Sequence, residues 1–439
     1  MIGVEVGIAS VVVIVLLIYC GVHVSVALGL VSFVGVWVYR DSLDVAINLL
    51  ALATADSVSH EVFATVPLFA LMGILASEIG LGSDVYRVAN QAFRRVRGGL
   101  GIATVAANAL FASITGSSIA SASVFSRISV PEMLNFGYTR RFSVGVVAGS
   151  SVLGMLIPPS AMLIIYAIVS EQSVGQMFMA GVIPGILLAV AYSVAISIMV
   201  ILTPRFIGGS ALPAAPGVDT APLGAADCGL LLLPVAVLVL VVLGGIYFGV
   251  VTPEEAGAAG SLGALVIGMG KRRISWAGLW RVLVETGHIT AAILFLIITA
   301  SMYSRMLGVA ALPTLFGEWL AGMNLGLYGV LTVYIVLLIA LGTIVDTASI
   351  ILIVVPLFLP AVEAHGGDFV WFGIVTVIGA EIGLLTPPLG ISCFTIKSTI
   401  SNPEITLADI FAGAFPFALI MLLVLILIVA VPQLSLALM

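Results

Sequence analysis

Charge is what this chain lacks. Asp, Glu, Lys and Arg make up 8% of its 439 residues while 62% are hydrophobic, against about 25% charged in soluble domains. That shortage excludes an ordinary soluble fold and places the chain in a lipid bilayer. The net charge of -6 counts few groups on a large apolar body, and nothing resembles the basic footprint of a nucleic-acid binder. Cysteine is scarce too. Cys20, Cys228 and Cys393 are odd in number, scattered, and set in or beside apolar stretches, which fits neither a disulfide framework nor a metal spacing. They read as small buried hydrophobes. The histidines, His23, His60, His288 and His365, are equally dispersed, which argues against a transition-metal site. No Lys or Arg precedes the first apolar run, residues 4–19, so it lacks the basic start of a cleavable signal and reads as a retained span.

What the chain has is apolar length. Runs near or above the ~20 residues needed to cross a bilayer recur at 181–202, 230–251, 290–311 and 410–431, leaving no room for a soluble domain of useful size. The one stretch that reads as a linker is 203–227, where Pro204, Pro213, Pro216 and Pro222 interrupt the hydrophobicity.

The two halves on either side of it repeat. A shift of 229 residues lays Ser117 on Asp346, Pro131 on Pro360, Gly154 on Gly383, Leu156 on Leu385 and Pro158-Pro159 on Pro387-Pro388, without a gap. Each half parses as two spans, an amphipathic segment, a span, an entering and returning hairpin, a broken span and a final span. These fall at 4–19, 22–39, 42–59, 63–79, 100–128, 144–169 and 177–202, then at 230–248, 256–269, 276–285, 290–306, 325–359, 372–396 and 410–431. Five crossings plus one re-entrant hairpin is an odd number, so the halves are expected in opposite orientations. Charge agrees. Residues 83–142 carry Arg87, Arg94, Arg95, Arg97, Arg127, Arg140 and Arg141, whereas the equivalent window 312–371 carries no Lys or Arg. Because positive loops face the cytoplasm, the first hairpin enters from that side and the second, flanked by Glu318, Glu363 and Asp368, from the other. Lys271, Arg272, Arg273 and Arg281 mark a further cytoplasmic turn, and both termini fall outside. Arg87, Arg94, Arg95 and Arg97 read as orientation and lipid contacts; Arg305, at the edge of a span, takes no assignment from sequence.

The expected fold class is thus an all-α polytopic membrane protein. Residues 1–203 form a first inverted repeat, 204–228 a cytoplasmic linker and 229–439 a second repeat, with two re-entrant hairpins and two broken helices. Such broken helices mark ion and substrate sites in transporters, because Gly and Pro free backbone groups at a depth where lipid cannot satisfy them. Small residues for close helix packing are the plainer meaning of Gly116, Ser117 and Ser118. The functional meaning gains from their place at a hairpin tip facing a Pro-Pro break. Asp346 has no Lys or Arg nearby in sequence, and a carboxylate in a bilayer costs several kcal/mol unless paired or bound to a cation. A sodium ion or a proton would compensate it, and a helix-capping role beside Thr347 is compatible with that. Glu381 is the second intramembrane carboxylate of its half, open between anchoring the unwound loop and coupling. Its counterpart is Val152, so the two copies differ chemically. Carbonyls of 154–157 and 383–386 lose helical donors and offer hard oxygen ligands, while the helix starts after the prolines attract anions. The candidate cation ligands are Ser117, Ser118, Gly154 and Ile157, then Asp346, Thr347, Gly383 and Thr386. Gly116, Ser160, Glu381 and Gly390 are candidate substrate contacts. The stretch 245–257, with Pro253, Glu254 and Glu255, reads as a helix start with no chemistry.

At these residues the chain resembles the large membrane subunit of tripartite ATP-independent periplasmic (TRAP) transporters. The resemblance rests on Gly116-Ser117-Ser118, Ile128 to Met133, Leu153 to Ser160, Gly249 to Ala256, Asp346-Thr347 and Glu381 to Gly390, and spans nearly the whole chain. One departure is Ala348, where a second hydroxyl is often expected after the aspartate and threonine. The resemblance implies a multi-pass protein of the bacterial inner membrane working as an elevator, with a transport core near 98–170 and 325–398 and a scaffold from the remaining helices. It also implies sodium as coupling ion with no other cofactor, a small four-helix membrane subunit, a soluble periplasmic substrate-binding protein and an organic acid as cargo. The segments 42–59 and 276–285 are the expected scaffold arms along the membrane faces. The rival reading is a stand-alone sodium/carboxylate symporter of related inverted-repeat fold. An intramembrane enzyme is disfavoured because the sequence shows no catalytic grouping of His, Asp and Glu.

Overall fold

The computed structural model describes residues 2–59, 61–208, 223–323, 325–400 and 402–439, and the regular elements among them are helices. The first half runs α1 (Ile2–Tyr19), α2 (Val24–Arg40), α3 (Leu43–Ser59), α4 (Thr65–Glu78), α5 (Leu81–Phe93), α6 (Gly99–Thr115), α7 (Ser118–Asn135), α8 (Arg140–Ser151), α9 (Leu153–Leu156), α10 (Ala161–Val169), α11 (Val174–Leu202) and a short α12 (Pro204–Ile207). The second runs α13 (Ala225–Val239), α14 (Gly245–Tyr247), α15 (Pro253–Gly270), α16 (Trp276–Val309), α17 (Leu312–Gly322), α18 (Gly326–Gly342), α19 (Thr347–Ala364), α20 (Phe369–Leu384), α21 (Ile391–Thr399), α22 (Leu407–Ala430) and α23 (Gln433–Leu436). Among the described residues five helices, counting the run Ala225–Tyr247 with its π turn at Leu240–Gly244 as one, are long and apolar enough to cross a membrane.

The 229-residue register carries into the helices: displaced by it, α7 coincides with α19 and α2 starts where α15 starts. The reason is local. Thr252 caps α15 by accepting from Glu255 N while Glu255 closes the box on Thr252 N, with Pro253 at the first turn. Glu254 does more than meet the helix dipole, since it accepts a 3.2 Å hydrogen bond from Thr65 Oγ1 of α4.

The halves part company at the arms. The expected second arm, 276–285, and the span 290–306 form one unbroken 34-residue helix, α16. Only the isolated Gly287 lies between them, with no proline, and one glycine does not stop a helix. In the first half, Leu43–Ser57 and Val62–Glu78 meet at a 68° bend. Of the expected linker 204–228, residues 209–222 lie outside the described residues, and α13 already begins at Ala225.

Helices α2, α3 and α4 each pack on α16, α2 also packs on α3, and α15 packs on α4. The hairpins and broken helices instead interleave between halves: α7 packs on α21, α10 on α19 and α8 on α22. Gly145 and Gly413 let α8 and α22 approach backbone to backbone. Polar side chains tie these crossings, with Tyr166 OH donating to Phe369 O at 2.6 Å and Trp371 Nε1 to Ile428 O at 2.9 Å.

Ion pairs hold the outer helices. Asp84 of α5, 3% exposed at its side chain, accepts from Lys271 Nζ at 2.9 Å and from both terminal nitrogens of Arg273 at 2.7 and 3.1 Å. Arg281 at the start of α16 pairs with Glu78 at the end of α4, 2.5 Å apart. Toward the other end of α16, Arg305 pairs with Asp56 of α3.

Candidate functional site

The twelve candidate residues fall into two clusters, each made of a hairpin tip and the broken helix of the same half. In the first, α6 ends at Gly116 in the left-handed region (φ +60) and Ser117 caps α7, its Oγ accepting from Ala120 N at 3.3 Å. The break between α9 and α10 closes on this tip. Ala161 N donates to Gly116 O at 3.3 Å. A Cβ at Gly116 would lie 2.5 Å from Pro159 O, and one at Gly154 would lie 2.7 Å from Ser117 O. Both positions need glycine because backbone meets backbone. Ser160 caps α10, accepting from Leu163 N at 3.4 Å, and its hydroxyl donates to Met155 O. Ile157 is extended at the end of α9 and packs on Gly185 of α11.

The second cluster repeats this plan with other chemistry. Asp346 caps α19, accepting from Ser349 N at 3.1 Å and from Ser349 Oγ. It is half-buried and forms no ion pair among the described residues. Thr343 O accepts from Leu389 N at 3.1 Å and Gly390 N at 3.4 Å, which seats the break on the tip. Gly383 lies against the α18 backbone, where a Cβ would sit 2.5 Å from Gly342 Cα. Thr347 Oγ1 donates to Glu381 Oε1 at 2.9 Å, and Glu381 is fully buried with Oε2 unpartnered. Thr386 Oγ1 returns to Ile382 O at 2.8 Å. Glu381 and Gly390, expected at the substrate, therefore sit among the residues expected at the second cation.

The double prolines act on the carbonyls as their position dictates. Pro158, Pro159, Pro387 and Pro388 stand four residues after Gly154, Met155, Gly383 and Leu384 and supply no N–H. Both Pro-Pro bonds are cis. Two of these carbonyls find other donors, Met155 O from Ser160 Oγ and Gly383 O from Thr386 N at 2.9 Å. The run of free carbonyls is thus shorter than the sequence suggests.

Ser118, Ser121 and Ser392 are fully buried with hydroxyls that have no hydrogen-bond partner among the described residues. Ser121 and Ser392 went unmarked in the sequence, although Ser121 follows Ser118 by one helical step and Ser392 follows the second break. Tyr192 of α11, which packs on α20, is also fully buried, and its hydroxyl has no partner among the described residues. Nothing in its own apolar segment signals this. Buried polar atoms are normally satisfied, so each cluster has hydrogen-bonding capacity to spare.

Residues 11–434 match the family described as tripartite ATP-independent periplasmic transporter, DctM component. The C4-dicarboxylate TRAP transporter large permease protein DctM of Pseudomonas aeruginosa is 33% identical over 398 residues, 90% of each chain. The ectoine TRAP transporter large permease protein TeaC of Halomonas elongata is 31% identical over 84% of each, and the sialic acid TRAP transporter large permease protein SiaM of Vibrio cholerae 29% over 89% of each. Among solved structures, the YdaH transporter of Alcanivorax borkumensis superposes with a TM-score of 0.63 at 15% identity, covering 89% of this chain and 88% of that one, a likeness of fold alone. The chain, with its paired tips and double-proline breaks, belongs to the tripartite ATP-independent periplasmic transporter family as a DctM-type large permease.

Proposed function

We propose that this subunit imports a small organic acid across the bacterial inner membrane by secondary active transport coupled to sodium. The observation that carries the reading is the pairing, in each half, of a capped hairpin tip with a double-proline break. One tip ends in Ser117 and the other in Asp346. Each cluster offers hydroxyl, carboxylate or carbonyl oxygens suited to a small hard cation. Asp346, without a cationic partner, is the group a bound sodium would neutralise. Gly116, Ser160, Glu381 and Gly390 remain the substrate-side candidates, and the relatives named for C4-dicarboxylates and sialic acid favour a carboxylate.

The halves are inverted repeats, and 98–170 with 325–398 move as a transport unit against the remaining helices. Support comes from the packing, in which hairpins and broken helices of opposite halves interleave while α2, α3 and α4 gather on α16 and meet that set where α4 touches α6 and α10 and α16 touches α19. A periplasmic binding protein delivers the substrate, and a small four-helix membrane subunit completes the scaffold. The test is uptake into proteoliposomes by the chain with and without those two partners, under an inward sodium gradient. Sodium-dependent uptake of a C4-dicarboxylate only in the complete system supports the reading. Uptake by the chain alone favours a stand-alone symporter, and sodium-independent uptake by the complete system refutes the coupling.

A further inference from the structure

Arg305, which took no assignment from sequence, lines a cavity of about 640 Å³ between the outer layer and the interleaved helices. The cavity walls come from α3, the turn before α4 (Val62 and Phe63) and α16 on one side and from α10, α19 and the α10–α11 corner on the other. Its polar lining includes Asp56, Ser57, Glu171, Gln172, Ser301 and Arg305. Ser57 and Ser301 hydrogen-bond at 3.2 Å and fasten α3 to α16.

Arg305 thus shares this cavity with two carboxylates that belong to different parts of the molecule. Asp56 is its present partner, on α3. Glu171, on the corner that follows the first broken helix, is exposed and forms no ion pair among the described residues. The Arg305–Asp56 pair is open to solvent, with side-chain exposures of 36% and 54%, so water screens it and little opposes an exchange of partner. Glu171 takes φ +55, a left-handed position glycine fills more readily, and there it closes the end of α10 through Gln172 N to Ala167 O at 2.9 Å. A carboxylate at that capping position moves with α10 as one body.

We propose that Arg305 is a positioning residue whose guanidinium passes between Asp56 on the fixed layer and Glu171 on the moving one, biasing where the transport unit rests. The inference builds on the elevator reading. It needs no new ligand, since one cation serves two anions in turn.

The experiment places a single cysteine at Gln172, in a background lacking Cys20, Cys228 and Cys393, and follows its labelling by an impermeant maleimide with the partner subunits present. Asp56→Asn should leave Arg305 to Glu171, draw the corner toward α16 and slow labelling at least threefold. Glu171→Gln should speed it by a similar factor, and Arg305→Gln should erase the effect of Asp56→Asn. Should Arg305→Gln not assemble, Glu171→Arg paired with Arg305→Glu serves instead: the single change speeds labelling by repulsion, and the pair, which leaves two anions on the fixed layer facing a cation at the corner, slows it below the parent rate. The proposal is overturned if Asp56→Asn and Glu171→Gln shift labelling in the same direction, if neither shifts it, or if the Asp56→Asn effect survives without Arg305. Labelling of the parent that ignores sodium and substrate would overturn the elevator reading itself. Labelling that responds to sodium but not to Asp56→Asn would overturn only the exchange.

Discussion

Thr347 donates a 2.9 Å hydrogen bond to Glu381, and the two equivalent positions 229 residues earlier are Ser118 and Val152. The same backbone plan therefore supports a hydroxyl–carboxyl pair in one copy and a lone buried hydroxyl in the other. The copies cannot bind their ligands with equal charge, and substitutions in them should separate accordingly.

Asp346→Asn keeps a good capping residue, because an amide oxygen also accepts from Ser349 N. The variant should insert normally and melt within a degree or two of the parent, yet lose sodium-dependent uptake at least tenfold. Asp346→Ala loses the cap as well and should cost about 1 kcal/mol more in stability. Thermal melting in detergent and uptake against sodium concentration check both, and unchanged sodium dependence in Asp346→Asn would remove the aspartate from coupling.

Gly154→Ala forces a methyl to within 2.7 Å of Ser117 O, and Gly383→Ala forces one to within 2.5 Å of Gly342 Cα. Backbone cannot yield as a side chain does, so tip and break must separate. Each variant should raise the sodium concentration for half-maximal uptake about tenfold or abolish uptake. Gly175→Ala, whose new Cβ would meet Ile246 Cγ2 at 3.4 Å and Ser173 Oγ at 3.6 Å in ordinary contact, should behave as the parent. Normal sodium affinity in both site variants would detach the breaks from the cation sites.

Asp84 sits buried between two cations. Breaking a buried pair costs about 3–5 kcal/mol; with Arg273 37% exposed, the low end applies to Asp84→Asn, and the melting temperature should fall by several degrees. Glu404→Gln, which breaks the exposed pair to Arg140, should shift it by a degree or less. Equal shifts would show that burial does not govern these pairs.

Orientation is read with cysteines placed singly at Arg95 and Glu363, both exposed. They should label from opposite faces with an impermeant reagent, Arg95 from the cytoplasm. Labelling from one face would contradict the inverted arrangement.

The tips and breaks were legible because Gly, Pro and Ser stand out in apolar surroundings, and because an ungapped register makes each half a check on the other. Ser117 and Gly154 lie 37 positions apart in sequence and meet in the structure, whereas their counterpart glycine, Gly383, lies on Gly342. The charged contacts were not legible. Asp84 lies 187 residues from Lys271 and Asp56 lies 249 from Arg305, and no local pattern connects residues joined only by the packing of distant helices. The continuity of α16 was hidden for the opposite reason: a change in composition near Glu285 looked like a boundary, but the backbone carries no signal to stop there.

Helix α16 has 34 residues, roughly 50 Å at 1.5 Å per residue, whereas the hydrocarbon layer is about 30 Å thick. Trp276 and Trp280 near its start are 84% and 65% exposed, the amphipathic kind of ring that settles at the headgroup level. A rod of fixed length meets a thicker or thinner bilayer by changing its tilt. Its counterpart, bent by 68°, is not one straight rod and cannot answer by a single tilt. Lipids of different chain length would therefore load the two halves of the framework unequally.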